Sequence, residues 1–417
     1  MVVRYRKAGP KYHFGSPATI FWGSILLYYA FLLLVTKGLG FPPTRDELHF
    51  WPTTLRFSHA WPPSLELLRN YGELNTPLPF IVFGLIEKWG PGGIRYGRFF
   101  NLILSFGTII IIARPQTSTH WKRSLAAGAA LLLSPYFIGV STHLYTDMIA
   151  IFLVLCGCLL HERKLYLGSL ACFILAISSR QYMVAFPAAL FLNEFYRERT
   201  NFNSLAAFRR WSPPLLATGT LFAWYLFFGS FGPPEEITRQ QITTTSMLNL
   251  LPQNCNYFLA CLGAWFCLPE IFFNRIQERK LLSGYEYSNS FGRFAGLVLG
   301  LSFLFFPPWQ NCSQIQIVTM GFLDRFLHLF CNDAARIIIL YGLALLATIR
   351  FLKIGPDFFL VWTNVLLMAK AHIAWDKYTL PLIVVLWYHW SRQEERERGE
   401  DSSRLDNSLP TLEKDSA

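Results

Sequence analysis

Two adjacent carboxylates, Asp46 and Glu47, stand with His49 just beyond the first long apolar block of the chain. A carboxylate at a water boundary can take the proton of a hydroxyl, and Arg or Lys nearby can neutralise charge growing on a departing phosphate. The chain offers such partners at scattered places: Asp147, Arg180-Gln181, Lys370, His372 and Asp376-Lys377-Tyr378. Each also has an ordinary explanation. Acidic residues favour helix starts, Asp147 after Thr146 can cap a helix, Arg180 can snorkel, Lys377 can simply neutralise Asp376, and interfacial histidines need no ligand. Their chemistry therefore depends on whether the fold gathers them on one face.

The elements that would do so are membrane helices. Of 417 residues, 53% are hydrophobic, 17% aromatic and only 15% charged, against about 25% charged in an ordinary soluble domain. The apolar residues come in blocks, which predicts an all-α polytopic membrane protein with about twelve transmembrane helices. These begin near Ile20, Phe99, Leu125, Met148, Leu165, Tyr182, Pro213, Tyr257, Phe291, Ala334, Phe358 and Tyr378. The net charge of +11 lies in short Lys/Arg clusters between blocks, the pattern of the positive-inside rule rather than of nucleic-acid binding. Eight cysteines without a CxxC or a Cys/His zinc spacing argue against a structural metal.

The apolar segment Pro77 to Trp89 fixes the topology. Placed along the outer surface as a juxtamembrane helix, it leaves later short cytoplasmic loops with 14 Lys/Arg and their outer counterparts with 4. Made a span, it would exchange those totals. The expected organisation is one transmembrane domain over 1–390, a long first extracytoplasmic loop over 37–98, and a disordered cytoplasmic tail over 391–417 rich in Arg, Glu, Asp and Ser. Arg4, Arg6, Lys7 and Lys11 ahead of the first span place the N-terminus in the cytoplasm, and with this topology the C-terminus lies there too. The polar residues named above then share the outer face.

At these residues the chain resembles a known family. Asp46-Glu47-Leu48-His49-Phe50, followed by Asn75-Thr76-Pro77-Leu78-Pro79-Phe80, is similar to the opening of the GT-C membrane glycosyltransferases. Leu144-Tyr145-Thr146-Asp147 resembles that family's second outer acidic motif. Ser179-Arg180-Gln181 and Lys377-Tyr378-Thr379-Leu380-Pro381 are most similar to motifs of the dolichyl-phosphate-glucose α-1,2-glucosyltransferases of N-glycan assembly. Between Gly232 and Leu329 the correspondence is loose.

The resemblance implies a GT-C-like fold and inverting transfer of a hexose, glucose in that subfamily, from a polyprenyl- or dolichyl-phosphate donor. The acceptor hydroxyl belongs to a lipid-linked oligosaccharide or another glycan. Asp46 is the expected general base, with Glu47 placing acceptor or an optional divalent cation and Asp147 orienting base or cation. Arg180 and Lys377 are expected on the donor phosphate, with His49, Gln181, Lys370, His372, Asp376 and Tyr378 around the substrates. A transporter or flippase of a lipid-linked sugar is the alternative, but its ionisable groups belong near the midplane in repeated halves, and no internal repeat is seen. The membrane would be the plasma membrane of a bacterium or the endoplasmic reticulum of a eukaryote. Asn311-Cys312-Ser313 is a glycosylation sequon in an outer loop.

Overall fold

A computed structural model describes residues 17–44, 46–113, 121–200, 204–241, 250–276, 290–308, 321–371 and 374–393. Arg45, His372, the Asn311 sequon and the chain beyond residue 393 lie outside them. The described residues are helical, without strands. In chain order the first half comprises α1 (Pro17–Val35), α2 (Glu47–His59), α3 (Leu65–Arg69), α4 (Leu78–Trp89), α5 (Ile94–Ala113), α6 (Trp121–Leu132), α7 (Pro135–Thr142), α8 (Asp147–Glu162) and α9 (Tyr166–Ile177). Then come α10 (Ala185–Arg197), α11 (Leu205–Phe228), α12 (Pro234–Gln241), α13 (Pro252–Leu262), α14 (Leu268–Ile276), α15 (Ser290–Phe305), α16 (Phe322–Phe330), α17 (Asp333–Arg350), α18 (Pro356–Met368) and α19 (380–393).

Every apolar block of the sequence coincides with a helix, but length divides them. Ile94–Ala113 and Pro252–Asn274 are long and apolar enough to cross a membrane, and the bent pair Lys122–Leu132 and Pro135–Thr142 makes a third if taken as one span. Others fall short: α9 has 12 residues and α18 has 13, about 18–20 Å at 1.5 Å per residue. The sequence breaks them with Gly, Pro and short 3-10 turns, such as Gln181–Val184 ahead of α10 and Asp376–Thr379 ahead of α19. The 391–417 segment expected to be a tail still belongs to α19 up to residue 393.

The helix α4 covers most of Pro77 to Trp89 and lays Phe80 and Gly84 against α2 and Phe83 against Phe100 of α5. A Cβ on Gly84 would stand 2.9 Å from Phe57 Cβ, so glycine lets the two backbones close. Phe50, Phe57, Tyr71, Phe80, Phe83, Leu144, Ile149 and Phe228 form the small core beneath this layer. The larger core centres on α19, buried on every side from residue 381 to 391, with Trp387 and Tyr388 wholly enclosed. A helix apolar all round is suited to such a place. The turn at its start is packed against α13.

Polar pairs collect at both ends of the bundle. At the end away from Asp46, Arg350 grips Glu270 at 2.8 Å, His389 meets Asp357 at 2.6 Å, and Tyr388 donates to Glu162 at 2.6 Å. The starts of α8 and α19 form the other end, where the expected site residues lie.

Candidate active site

Asp46 and Lys377 meet across 331 residues of sequence: Lys377 Nζ donates to Asp46 Oδ2 at 3.0 Å. Asp46 precedes the first turn of α2, and Lys377 lies in the 3-10 turn that opens α19. The Asp46 side chain keeps a third of its surface exposed. The ammonium of Lys377 also sits 4.4 Å from the Trp375 ring, 5.8 Å from Tyr378 and 5.9 Å from Tyr145. Aromatic faces attract a cation, so three rings and one carboxylate define its position.

A second pair lies alongside. Asp147 opens α8 and accepts from Arg180 Nη2 at 2.5 Å and from Tyr182 Oη at 3.0 Å. Tyr182 packs edge-on to Tyr378 at 5.5 Å, joining this pair to the Lys377 cage. The other terminal nitrogen of Arg180 donates to Asn75 Oδ1. The planar fork expected to grip phosphate is therefore committed to protein, and only Nε remains buried without a partner. A buried N–H left unsatisfied is costly and marks a place for an acceptor.

The run carrying Asn75 is fastened to the α9–α10 junction. Leu78 N donates to Ser178 O at 3.1 Å, Thr76 Oγ1 to Ile177 O at 2.9 Å, and Gln181 Nε2 to Leu74 O at 2.5 Å. Gln181, expected on substrate, thus ties backbone. Its amide has a second, longer bond to Phe231 O at 3.3 Å.

Glu47 corrects a further expectation. Its carboxylate is fully enclosed and takes both arms of Arg98, Nε at 2.8 Å and Nη2 at 2.6 Å. It also accepts from Leu144 N at 2.7 Å and Thr44 N at 3.1 Å. No surface is left for acceptor or a cation. Burial pushes its pKa up, but the Arg98 fork and the Leu144 and Thr44 amides outweigh it and hold the carboxyl below its ordinary value. Arg98 in turn donates to Leu39, Phe41 and Pro42 carbonyls and stacks 3.7 Å above Phe41. Glu47 and Arg98 are the clamp that places Asp46. Sequence reasoning missed Arg98, although an arginine one turn inside the apolar α5 was a visible signal.

Asp376 is likewise turned inward. It accepts from Tyr257 Oη at 2.8 Å, Leu323 N at 2.8 Å and Trp265 Nε1 at 3.2 Å. It anchors the start of α16 and leaves Lys377 to Asp46, not to itself. His49 is exposed on the first turn of α2, and Lys370 is exposed at the end of α18. His49 is not joined to the two pairs by a described contact. Among the described residues no three His, Cys, Asp or Glu side chains converge as a metal site.

No family model, curated protein or solved structure matches this chain.

Proposed function

We propose that the chain is a polytopic membrane glycosyltransferase of GT-C type, with about twelve spans, that moves a hexose from a polyprenyl-phosphate donor to an acceptor hydroxyl. The observation that carries this reading is the Asp46–Lys377 pair, a carboxylate and a cation from opposite ends of the chain held 3.0 Å apart. The Asp147–Arg180 pair and the rings of Tyr145, Trp375 and Tyr378 beside it suit a sugar phosphate, since rings offer flat apolar faces and cations offer charge.

A donor phosphate beside Lys377 draws the ammonium away from Asp46, and the carboxylate turns to the acceptor. The hydroxyl proton passes to Asp46, the hydroxyl oxygen bonds to the anomeric carbon, and the carbon–oxygen bond to phosphate breaks with its electron pair on the phosphate. Lys377 and the Nε–H of Arg180 receive that charge. One displacement inverts the anomeric centre. Glu47 and Asp376 take no part beyond positioning.

Purified protein in liposomes with a radiolabelled polyprenyl-phosphate hexose and an extract of membrane glycans tests the reading. A new inverted glycosidic bond is the expected result. Movement of the labelled lipid between leaflets with no new bond would instead make the chain a flippase.

A further inference from the structure

The segment joining α1 to α2 contains a local distortion that the proposed chemistry does not use. Lys37, Gly38 and Leu39 all have positive φ, at 50°, 64° and 64°, and two of them are not glycine. Such backbone persists only where surroundings enforce it, and it gathers at functional sites. Here Arg95 Nε donates to Gly38 O at 2.5 Å and Arg98 Nη1 to Leu39 O at 2.9 Å. A Cβ on Gly38 would collide with the Arg95 guanidinium.

The distortion shapes an open cavity of about 440 Å³, lined by Val35, Lys37, Phe41, Pro42 and His143 among others. That volume falls within the range of about 300–1,000 Å³ common to small-ligand sites. Its walls are mostly apolar, with Lys37 as the cation. Arg95 stands over the neighbouring Gly38, and among the described residues neither Lys37 nor Arg95 makes an ion pair. Exposed apolar side chains stand on α1 and α5. On α1 these are Phe31, Leu34 and Val35, with Leu34 at 77% exposure. On α5 they are Phe99 and Ile103. Tyr29 Oη against Ser105 Oγ at 3.0 Å holds the two helices together.

Two cations that make no ion pair among the described residues, beside exposed apolar side chains of α1 and α5 and a cavity of headgroup size, are complementary to an anionic amphiphile. We propose that this rim binds the headgroup of an anionic membrane phospholipid, with its phosphate between Lys37 and Arg95 and its chains along α1 and α5. The binding depends on α1 and α5 lying in a membrane and not on glycosyl transfer. Phe41 and Arg98 connect the cavity to Glu47, the neighbour of Asp46.

The full chain in phosphatidylcholine nanodiscs, doped with spin-labelled phosphatidylglycerol or spin-labelled phosphatidylcholine, reads this directly. Phosphatidylglycerol is expected to be immobilised preferentially. Lys37→Asn, chosen because asparagine tolerates positive φ, should weaken it about five-fold, and adding Arg95→Gln about five-fold again, the loss expected per cation near a charged membrane. Lys88→Gln, an exposed cation of the same loop that does not line the cavity, should change nothing. Salt should weaken the wild-type preference independently of any variant. Equal immobilisation of both lipids, an equal loss in Lys88→Gln, or full competition by inorganic phosphate alone would each overturn the proposal.

Discussion

At the scale of residues, charge and geometry divide the candidate groups into those that face a ligand and those that hold the fold. Lys377 belongs to the first. Lys377→Met keeps the stem inside its aromatic cage but removes the donor, so donor affinity should fall about 10- to 100-fold, the worth of a charge-assisted hydrogen bond; isothermal titration with a polyprenyl-phosphate hexose measures it. Arg180 belongs to both. A lysine cannot reach Asn75 and Asp147 together as the guanidinium does, so Arg180→Lys should lower the melting temperature as well as donor affinity. Unchanged melting with lost affinity would mean that the Asn75 and Asp147 bonds contribute nothing to folding. Glu47 belongs to the second group. Glu47→Ala leaves Arg98 buried and unpaired and should cost about 3–5 kcal/mol in chemical denaturation. Its folded carboxyl lies below the ordinary value of 4.5. The stability it gives is complete above that pH and lost as pH falls through the folded value. Glu47→Gln should accordingly show a shallower loss of melting temperature than wild type on acidification below about 4.5; identical slopes would remove Glu47 from the acid response.

At the scale of elements, the close approach of α2 and α4 predicts a contrast between two glycines. Gly84→Ala forces a methyl against Phe57 and should destabilise by about 1–3 kcal/mol. Gly219, inside α11 with open space around its Cβ position, should gain up to about 1 kcal/mol as alanine. Thermal melts in detergent distinguish them, and equal effects would refute the packing described. Helix positions were legible because apolar blocks bounded by Gly, Pro and basic clusters are local signals. The acidic start of α2, the start of α8 and the motif at Arg180 were also legible, since each lies at the edge of a block. What each carboxylate touches was not. Glu47 finds Arg98 at a separation of 51 and Asp376 finds Tyr257 at 119, and nothing local in the sequence distinguishes those inward carboxylates from the one-third-exposed Asp46. Asp376 is adjacent to Lys377 in sequence, yet Lys377 pairs with Asp46, because the 3-10 turn directs neighbouring side chains apart.

At the scale of the molecule, ionic pairs at both ends of an apolar bundle are compatible with a membrane slab, and in the proposed topology the placement of α4 decides which ends share a side. Single cysteines at the exposed positions Ser64 and Thr238 should react with an impermeant maleimide from one face, and one at Ser204 only from the other, in a background free of native cysteines. Ser64 and Thr238 reacting from opposite faces would separate the segment bearing Asp46 from the rest of the proposed outer face. The joining of residues 46, 147, 180 and 377 at one end is the whole-molecule fact on which the proposed chemistry rests. The most direct measurement is single-turnover transfer from a radiolabelled polyprenyl-phosphate hexose by wild type and Asp46→Asn, with donor binding measured in the same preparations. The account predicts that Asp46→Asn binds donor and melts like wild type while transfer falls by at least about 100-fold, the low end for loss of a general base. Transfer at the wild-type rate by a folded, donor-binding Asp46→Asn would contradict it.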